Sequence, residues 1–231
     1  LLGHTLWGQE LPPAQEVLQK SVSFHDPHGQ WETYQAELRL KETRPNRQDR
    51  FRTIAIDRPG SRTVILQDLD TLMLMQGLDH GEPVVEINGI PGATEEEIKA
   101  LNLTANRITY VHNYYLYLYG LPMKLLTDTQ GEVKPEVHPM ELMGKEYWAV
   151  DVLYHEPVRE HDWRFFFDPI TFALKAYQFW RQSPLEDGEF VLLEELETVG
   201  GIRHPKIRTW YLNKEKQYIA TDILLPENVE Q

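Results

Sequence analysis

The sequence predicts an α+β protein that is mainly antiparallel β: one curved sheet of about twelve strands with helices packed on its inner face. Three observations predict it. Asp162 to Trp180 holds two aromatic-rich runs around a turn at Asp168-Pro169-Ile170-Thr171, with Trp163, Phe165 and Phe167 on one parity and Phe172, Leu174, Ala176 and Gln178 on another. Period-two spacing about a proline-containing turn marks an antiparallel hairpin. Short apolar runs recur along the chain with turn residues roughly every ten positions. Helical spacing is confined to a segment starting at Ala14 and a region between Thr94 and Tyr119.

Pro12-Pro13 precedes apolar residues at 14, 17, 18 and 22, and proline suits the first turn of a helix. Phe24-His25-Asp26-Pro27-His28-Gly29 is a turn cluster that ends it. Ala36, Leu38 and Leu40 then alternate with Glu37, Arg39 and Lys41, a half-buried strand. Strands follow at 50–57, 61–68, 71–77 and 83–90, punctuated by Arg58-Pro59-Gly60, Gly77 to Gly81 and Asn88-Gly89. Thr94-Glu95-Glu96-Glu97 is a capping box. It opens a helical region, with breaks, whose apolar stripe is Ile108, Val111, Tyr115, Leu118 and Tyr119; Gly120-Leu121-Pro122 stops it. From Gly131 on, strands are predicted at 131–138, 143–155, 162–168, 171–181, 188–199, 202–212 and 217–225. About twelve strands exceed what a flat open sheet readily holds, so the sheet is predicted to curl. No Ser/Gly linker or fixed-period repeat divides the chain. The expected organisation is residues 1–12 as a signal-peptide remnant or disordered N-terminus, and 13–231 as a single domain.

The chain has 231 residues, 41% hydrophobic, with a formal charge of −13. That hydrophobic content builds a core. The acid excess is spread along the chain, which disfavours nucleic acid and an anionic membrane surface, since both need clustered Lys and Arg. There is no cysteine, which removes disulfides, thiolate catalysis and cysteine metal sites. No run approaches the roughly 20 apolar residues of a membrane span. Leu1 to Gly8 is apolar and then turns polar, as at the end of a secretory leader.

Chemistry-bearing motifs are few. His155-Glu156-Pro157-Val158-Arg159-Glu160-His161-Asp162 gathers metal-ligand residue types. It lacks the second His of H-E-x-x-H at the required spacing, and Pro157 opposes the helix that motif needs. It reads as a hairpin loop. His25, Asp26 and His112 are a candidate polar site, an acid–base or metal set if the two helical regions pack side by side; capping and core satisfaction are the plainer reading. The four serines, at 21, 23, 61 and 183, are not in G-x-S-x-G. No G-x-G-x-x-G or P-loop is present, so no nucleotide cofactor is expected, and no cofactor or metal of any other kind. Apolar mass stands out instead. Tyr114, Tyr115, Leu118, Met123, Trp148, Phe165, Phe167 and Tyr177 are the candidate lining of a ligand cavity, which a wide curved sheet leaves when its own side chains do not fill it. A filled core is the alternative.

Several strings carry a resemblance: Phe24-His25-Asp26-Pro27 with Gly29 and Trp31; Tyr114 through Leu125; Phe166-Phe167-Asp168-Pro169; and Gly201 through Arg208, with Trp210-Tyr211 and Thr221-Asp222. From about residue 14 to 225 the chain resembles a family of exported domains of unknown function of Bacteroidota type. That family is similar in fold to the LolA/LppX-like lipoprotein carriers, an unclosed antiparallel half-barrel wrapped around helices. The resemblance implies that fold, an apolar interior and a periplasmic or extracytoplasmic location, but no catalytic residue. A carrier role taken from it is fold-level analogy.

The expected function is therefore an exported binding protein that holds a lipid or other hydrophobic small molecule between sheet and helices. The first alternative is a cell-envelope structural or interaction module with an envelope protein partner. The second is a hydrolase or metal-dependent enzyme built on His25, Asp26 and His112.

Overall fold

The computed structural model describes residues 11–69, 71–127, 131–154 and 162–226. The elements in chain order begin with α1 (Ala14–His25), a 3₁₀ turn (Trp31–Thr33), β1 (Gln35–Thr43), β2 (Arg50–Asp57), β3 (Arg62–Asp68), β4 (Met73–Asp79), β5 (Glu82–Ile87) and β6 (Ile90–Pro91). Three helices follow, α2 (Glu95–Leu101), α3 (Ala105–Tyr119) and α4 (Lys124–Thr127). The chain then returns to strands: β7 (Gly131–Leu142), β8 (Lys145–Tyr154), β9 (Asp162–Phe167), β10 (Leu174–Trp180), β11 (Glu189–Val199), β12 (Ile202–Leu212) and β13 (Tyr218–Leu224). All thirteen strands form one sheet in the order β6-β5-β4-β3-β2-β1-β13-β12-β11-β10-β9-β8-β7. The sheet is not closed: β6 and β7 are its ends. The strand beyond the dozen expected is β6, two residues long and too short to show a period.

Local chemistry sets the boundaries. The capping box forms: Thr94 Oγ1 accepts from the Glu97 amide at 3.3 Å, and the Glu97 carboxylate accepts from the Thr94 amide at 2.7 Å. Those Thr94 donors hold the Glu97 carboxyl below the usual carboxylate range. Asn102 ends α2 in the left-handed conformation, and Thr104 starts α3 with a second cap on the Arg107 amide. This is the break inside the predicted helical region. Met143 belongs to a turn and not to a strand. Met143-Gly144, like His80-Gly81, Asn88-Gly89 and Gly200-Gly201, has positive φ at both residues, the hairpin turn whose twist matches that of its strands.

The turn after β9 is built by Asp168, whose Oδ1 accepts from the amides of Ile170 (3.0 Å) and Thr171 (2.7 Å) and from the Thr171 hydroxyl (2.9 Å). Burial opposes ionisation of Asp168, but the Thr171 and Ile170 donors win and its pKa is lowered. One expectation fails here. Leu174 pairs with Phe167 but Ala176 with Phe166, so a bulge at Lys175 reverses the alternation. Leu174 therefore shares the face of Phe167, while Ala176 and Gln178 lie on the other.

The described chain falls into two compact units, and the division runs through β11, β12 and β13. The first contains the chain up to Pro27, Pro122–Glu194 and Arg208–Ile219; the second contains His28–Leu121, Glu195–Ile207 and the chain from Ala220 on. In the first, β8, β9 and β10 are apolar on both faces. Trp148, Val150, Phe165, Phe167 and Tyr177 are buried on one, and Tyr147, Ala149, Phe166 and Ala176 form a cluster on the other. Helix α1 buries Ala14, Val17, Leu18, Ser21 and His25 and packs against β7. In the second unit α3 lies on β3, β4 and β5, where Leu74, Leu78, Ile87, Leu103 and Ile108 make a core.

Asn213 ties the loop between β10 and β11 to the end of β12. Its Nδ2 donates to the carbonyls of Phe179 (3.1 Å) and Asp187 (2.6 Å), and its Oδ1 accepts from Gln178 Nε2 (3.1 Å). Gly188 beside it has φ +79, and a Cβ there would collide with the Phe179 carbonyl. Asn213→Ala strands two carbonyls and should cost about 2 kcal/mol in urea unfolding; a loss under about 0.5 kcal/mol would show the ties to be incidental.

Candidate functional site

The first unit carries an aromatic tract on one face of β8, β9 and β10. Cross-strand pairing sets it out in rows: Trp148 with Phe167 and Leu174, Val150 with Phe165 and Tyr177, and Val152 with Trp163 and Phe179. Residues opposite one another share a face, so the rows stack into a continuous surface. Trp163 is its hub. Its ring lies 4.8 Å from Phe179, 5.8 Å from Tyr177, 5.9 Å from Phe165 and 6.5 Å from Tyr154. Tyr177 continues the tract to Trp210 of β12 at 6.1 Å. The tract is fully buried at Phe165, Phe167 and Tyr177 and partly open at Trp163 and Phe179. Next in register to Phe179 is Glu189, whose carboxyl burial pushes up in pKa.

Four predicted residues, Trp148, Phe165, Phe167 and Tyr177, thus stand together on this face. Met123 is buried in the first unit, just before α4. Trp148 stacks edge-on to Phe172 at 5.4 Å, and Lys20 of α1 sits 4.6 Å over that ring. Among the buried polar atoms of the unit, Trp148 Nε1 and Ser21 Oγ have no hydrogen-bond partner among the described residues. The sequence reading singled out the Trp148 ring but not its orphaned N–H, and passed over Trp163 and Phe179 as lining. Their alternation with Phe165 and Tyr177 was the available signal.

Tyr114, Tyr115 and Leu118 lie on α3 in the second unit. Helical periodicity separates them: Tyr115 and Leu118 are buried, while Tyr114 is 37% exposed and stacks on exposed Tyr110. The Tyr115 hydroxyl accepts from Arg52 Nη1 at 2.6 Å, and the same nitrogen donates to Glu42 at 2.6 Å. Burial pushes the Tyr115 phenol up to about 12; Arg52 opposes this, and Asp222 and Glu42 reinforce it. Burial works against the Arg52 charge too, but Tyr115, Glu42 and Asp222 overcome it and raise its pKa.

Of the polar candidates, His25 and Asp26 fall in the first unit and His112 in the second. His25 is completely buried, and its Nε2 accepts the Leu174 amide at 3.0 Å, which fastens the end of α1 to the start of β10. Asp26 is the buried C-cap of α1. His112 is half-buried, with Nδ1 3.1 Å from the side chain of Asn113. The stretch from His155 to His161 lies outside the described residues. Among the described residues no three of His, Asp and Glu gather as a metal would require. A second buried histidine, His204, was not singled out: its Nε2 is 2.8 Å from the Tyr34 hydroxyl, which donates to the Val199 carbonyl at 3.2 Å.

An unclosed antiparallel sheet of thirteen strands with few helices is the LolA-like class of fold. Similar solved structures include a LolA superfamily protein from Nitrosomonas europaea, at 8% identity and TM-score 0.53, covering 95% of this chain and 96% of that one. A DUF1329 family protein from Desulfovibrio piger is also similar, at 9% identity and TM-score 0.52, covering 96% and 95%. The chain itself belongs to the family of unknown function DUF6503, whose sequence profile matches residues 9–228. No curated protein matches the sequence. Among the described residues no helix is long and apolar enough to cross a membrane.

The Tyr115 phenol gives a measurable signature. Folding favours its protonated form, so its contribution is fully present below the ordinary value of 10.0 and is lost as pH rises toward about 12. Alkaline titration of tyrosinate absorbance should show a late step that Tyr115→Phe removes. Superimposable curves for the two proteins would contradict the burial and charge environment described.

Proposed function

We propose that this protein is a carrier that holds a lipid or other hydrophobic ligand against the aromatic face of β8, β9 and β10. The observation that carries the reading is the continuous tract from Trp148 through Phe165 and Tyr177 to Trp163 and Phe179, buried at one end and partly open at the other. Aromatic and aliphatic walls with a few polar atoms suit an apolar ligand with a polar handle, and the orphaned Trp148 Nε1 and Ser21 Oγ offer a donor and a hydroxyl for one. The LolA-like fold supports the reading as a scaffold, since fold alone does not carry function. We take the carrier to act outside the cytoplasm, in keeping with the exported domains it resembles. The candidate lining is Trp148, Phe165, Phe167, Tyr177 and Met123 of the first unit, extended by Trp163 and Phe179.

The sheet ends bear on the envelope-module alternative. β6 has two residues, and β7 carries Pro135 and Pro139 with a register shift between Val133 and Val137. Proline and bulges blunt a strand edge against pairing with another chain, so such a module would not work by strand addition.

Native mass spectrometry of the purified protein, with organic extraction, tests the carrier. A co-purifying lipid or fatty acid is expected. Trp163→Ala should weaken rebinding of that species about tenfold, on the order of 1.4 kcal/mol, with the far-ultraviolet spectrum kept. A mass unchanged after incubation with lipids would sink the carrier and favour the interaction module.

A further inference from the structure

The acid excess is not even. Six basic residues fall between Arg39 and Arg52 against two acids, Glu42 and Asp49, and the β1–β2 hairpin folds that segment back on itself, pairing Glu42 with Arg50 and Leu40 with Arg52. Three guanidiniums converge on the Glu42 carboxylate. Arg52 Nη1 reaches Oε2 at 2.6 Å, Arg44 Nε reaches Oε1 at 2.8 Å, and Arg50 Nη1 stands 3.8 Å from Oε1. Asp222, opposite Glu42 in register, also acts on Arg52, and these two carboxylates do not neutralise three guanidiniums with Arg47 beside them. Arg52 is further engaged by Tyr115 and, at 3.4 Å, by Gln67.

Arg44 and Arg50 are less committed. Arg44 meets Glu42 through Nε at 2.8 Å without hydrogen-bond geometry. Arg50 makes only the 3.8 Å contact, with its side chain 36% exposed. Burial lowers the Arg50 pKa, and Arg44, Arg52 and Arg47 lower it further while Glu42 opposes, as expected of crowded like charges. Arg47 is exposed in the turn between the strands, where its amide donates to the Arg44 carbonyl at 3.4 Å. Lys41 is already paired with Asp49 at 2.8 Å.

We propose that Arg44 and Arg50, with Arg47 at the rim, form a binding site for a phosphate group at the tip of the β1–β2 hairpin. The planar guanidinium fork matches phosphate oxygens, and such charge-assisted hydrogen bonds are the strong ones. A dianion would supply the charge that Glu42 and Asp222 do not. The phosphate has two sources, a soluble phosphate ester or the headgroup of an anionic lipid. Phe51, 45% exposed, sits at the same hairpin tip on the face of β2 opposite Arg50 and Arg52, an apolar group that a membrane surface meeting the tip would cover. The site lies wholly in the second unit and does not depend on the carrier reading.

Calorimetric titration of the whole protein with inorganic phosphate, at physiological salt, tests the site. Saturable binding is expected, weakened about tenfold or more in Arg44→Gln/Arg50→Gln. Where that pair of changes lowers thermal stability, Arg47→Gln at the exposed turn keeps the fold and still weakens phosphate. Co-sedimentation with phosphatidylglycerol vesicles but not phosphatidylcholine vesicles, reduced by Phe51→Ser, identifies the headgroup source. Phosphate binding without vesicle binding identifies the soluble one. No binding to either probe, or binding that all the arginine variants retain, overturns the proposal.

Discussion

One antiparallel pairing holds the sheet in a single piece. β1 joins β13 through Leu40 with Leu224, Lys41 with Ile223, Glu42 with Asp222 and Thr43 with Thr221, and the Leu225 amide donates to the Arg39 carbonyl at 2.8 Å. On one side of that junction every strand follows from its neighbour by a hairpin, β1 to β6. On the other the same is true from β13 back to β7. This is the strand pairing that joins residues far apart in the chain, so much of the loop-closure entropy of the sheet falls on it, and a sheet waiting on it is expected to form slowly. It also sets where the ends fall. The outermost strands are the two-residue β6 and the proline-bearing β7.

The first unit shows what register does to chemistry. Because side chains alternate, a single extra residue moves everything beyond it to the other face. The bulge at Lys175 does this within β10: it leaves Leu174 with Phe167 and turns Tyr177 and Phe179 onto the face of Phe165 and Trp163. Without it the aromatic residues of β9 and β10 would fall on opposite sides and no tract would exist. Aromatic pairs of this geometry contribute about 0.5–1.5 kcal/mol beyond burial, so the tract stabilises the sheet as well as shaping a surface. The opposite face is finished differently, with small Ala149 and Ala176 beside Tyr147 and Phe166. Arg164 there grips Asp151 through two bonds of 2.6 and 2.8 Å while lying over Trp180.

Charge is organised by the same pairing. A chain with a net charge of −13 reads as uniformly acidic only while it is a string. The β1–β2 hairpin gathers arginines separated by two to eight positions around Glu42, and α3 supplies Tyr115 beneath them. The exclusion of anionic surfaces argued from the spread of acids does not extend to this hairpin.

The elements themselves were legible in the sequence. The capping box at Thr94, the stop at Gly120, the paired-glycine turn after Val199 and the alternation in β1 are local, and their physics acts over a few residues, so the strands and helices fall close to where period and turn chemistry put them. Part of the candidate lining was legible for the same reason, since Phe165 and Phe167 alternate on one strand. The rest was not. Whether Phe172, Leu174 and Ala176 share a face depends on a bulge that has no residue signature here, and the packing of α3 on β3, β4 and β5 joins elements that no local preference pairs. The role of His25 was hidden as well, because its partner amide, Leu174, lies 149 positions away. What the sequence by itself determined was the set of elements and their amphipathic faces. The tertiary structure decided which faces meet, because pairing, register and the convergence of arginines on Glu42 join residues whose separation in the chain carries no local preference.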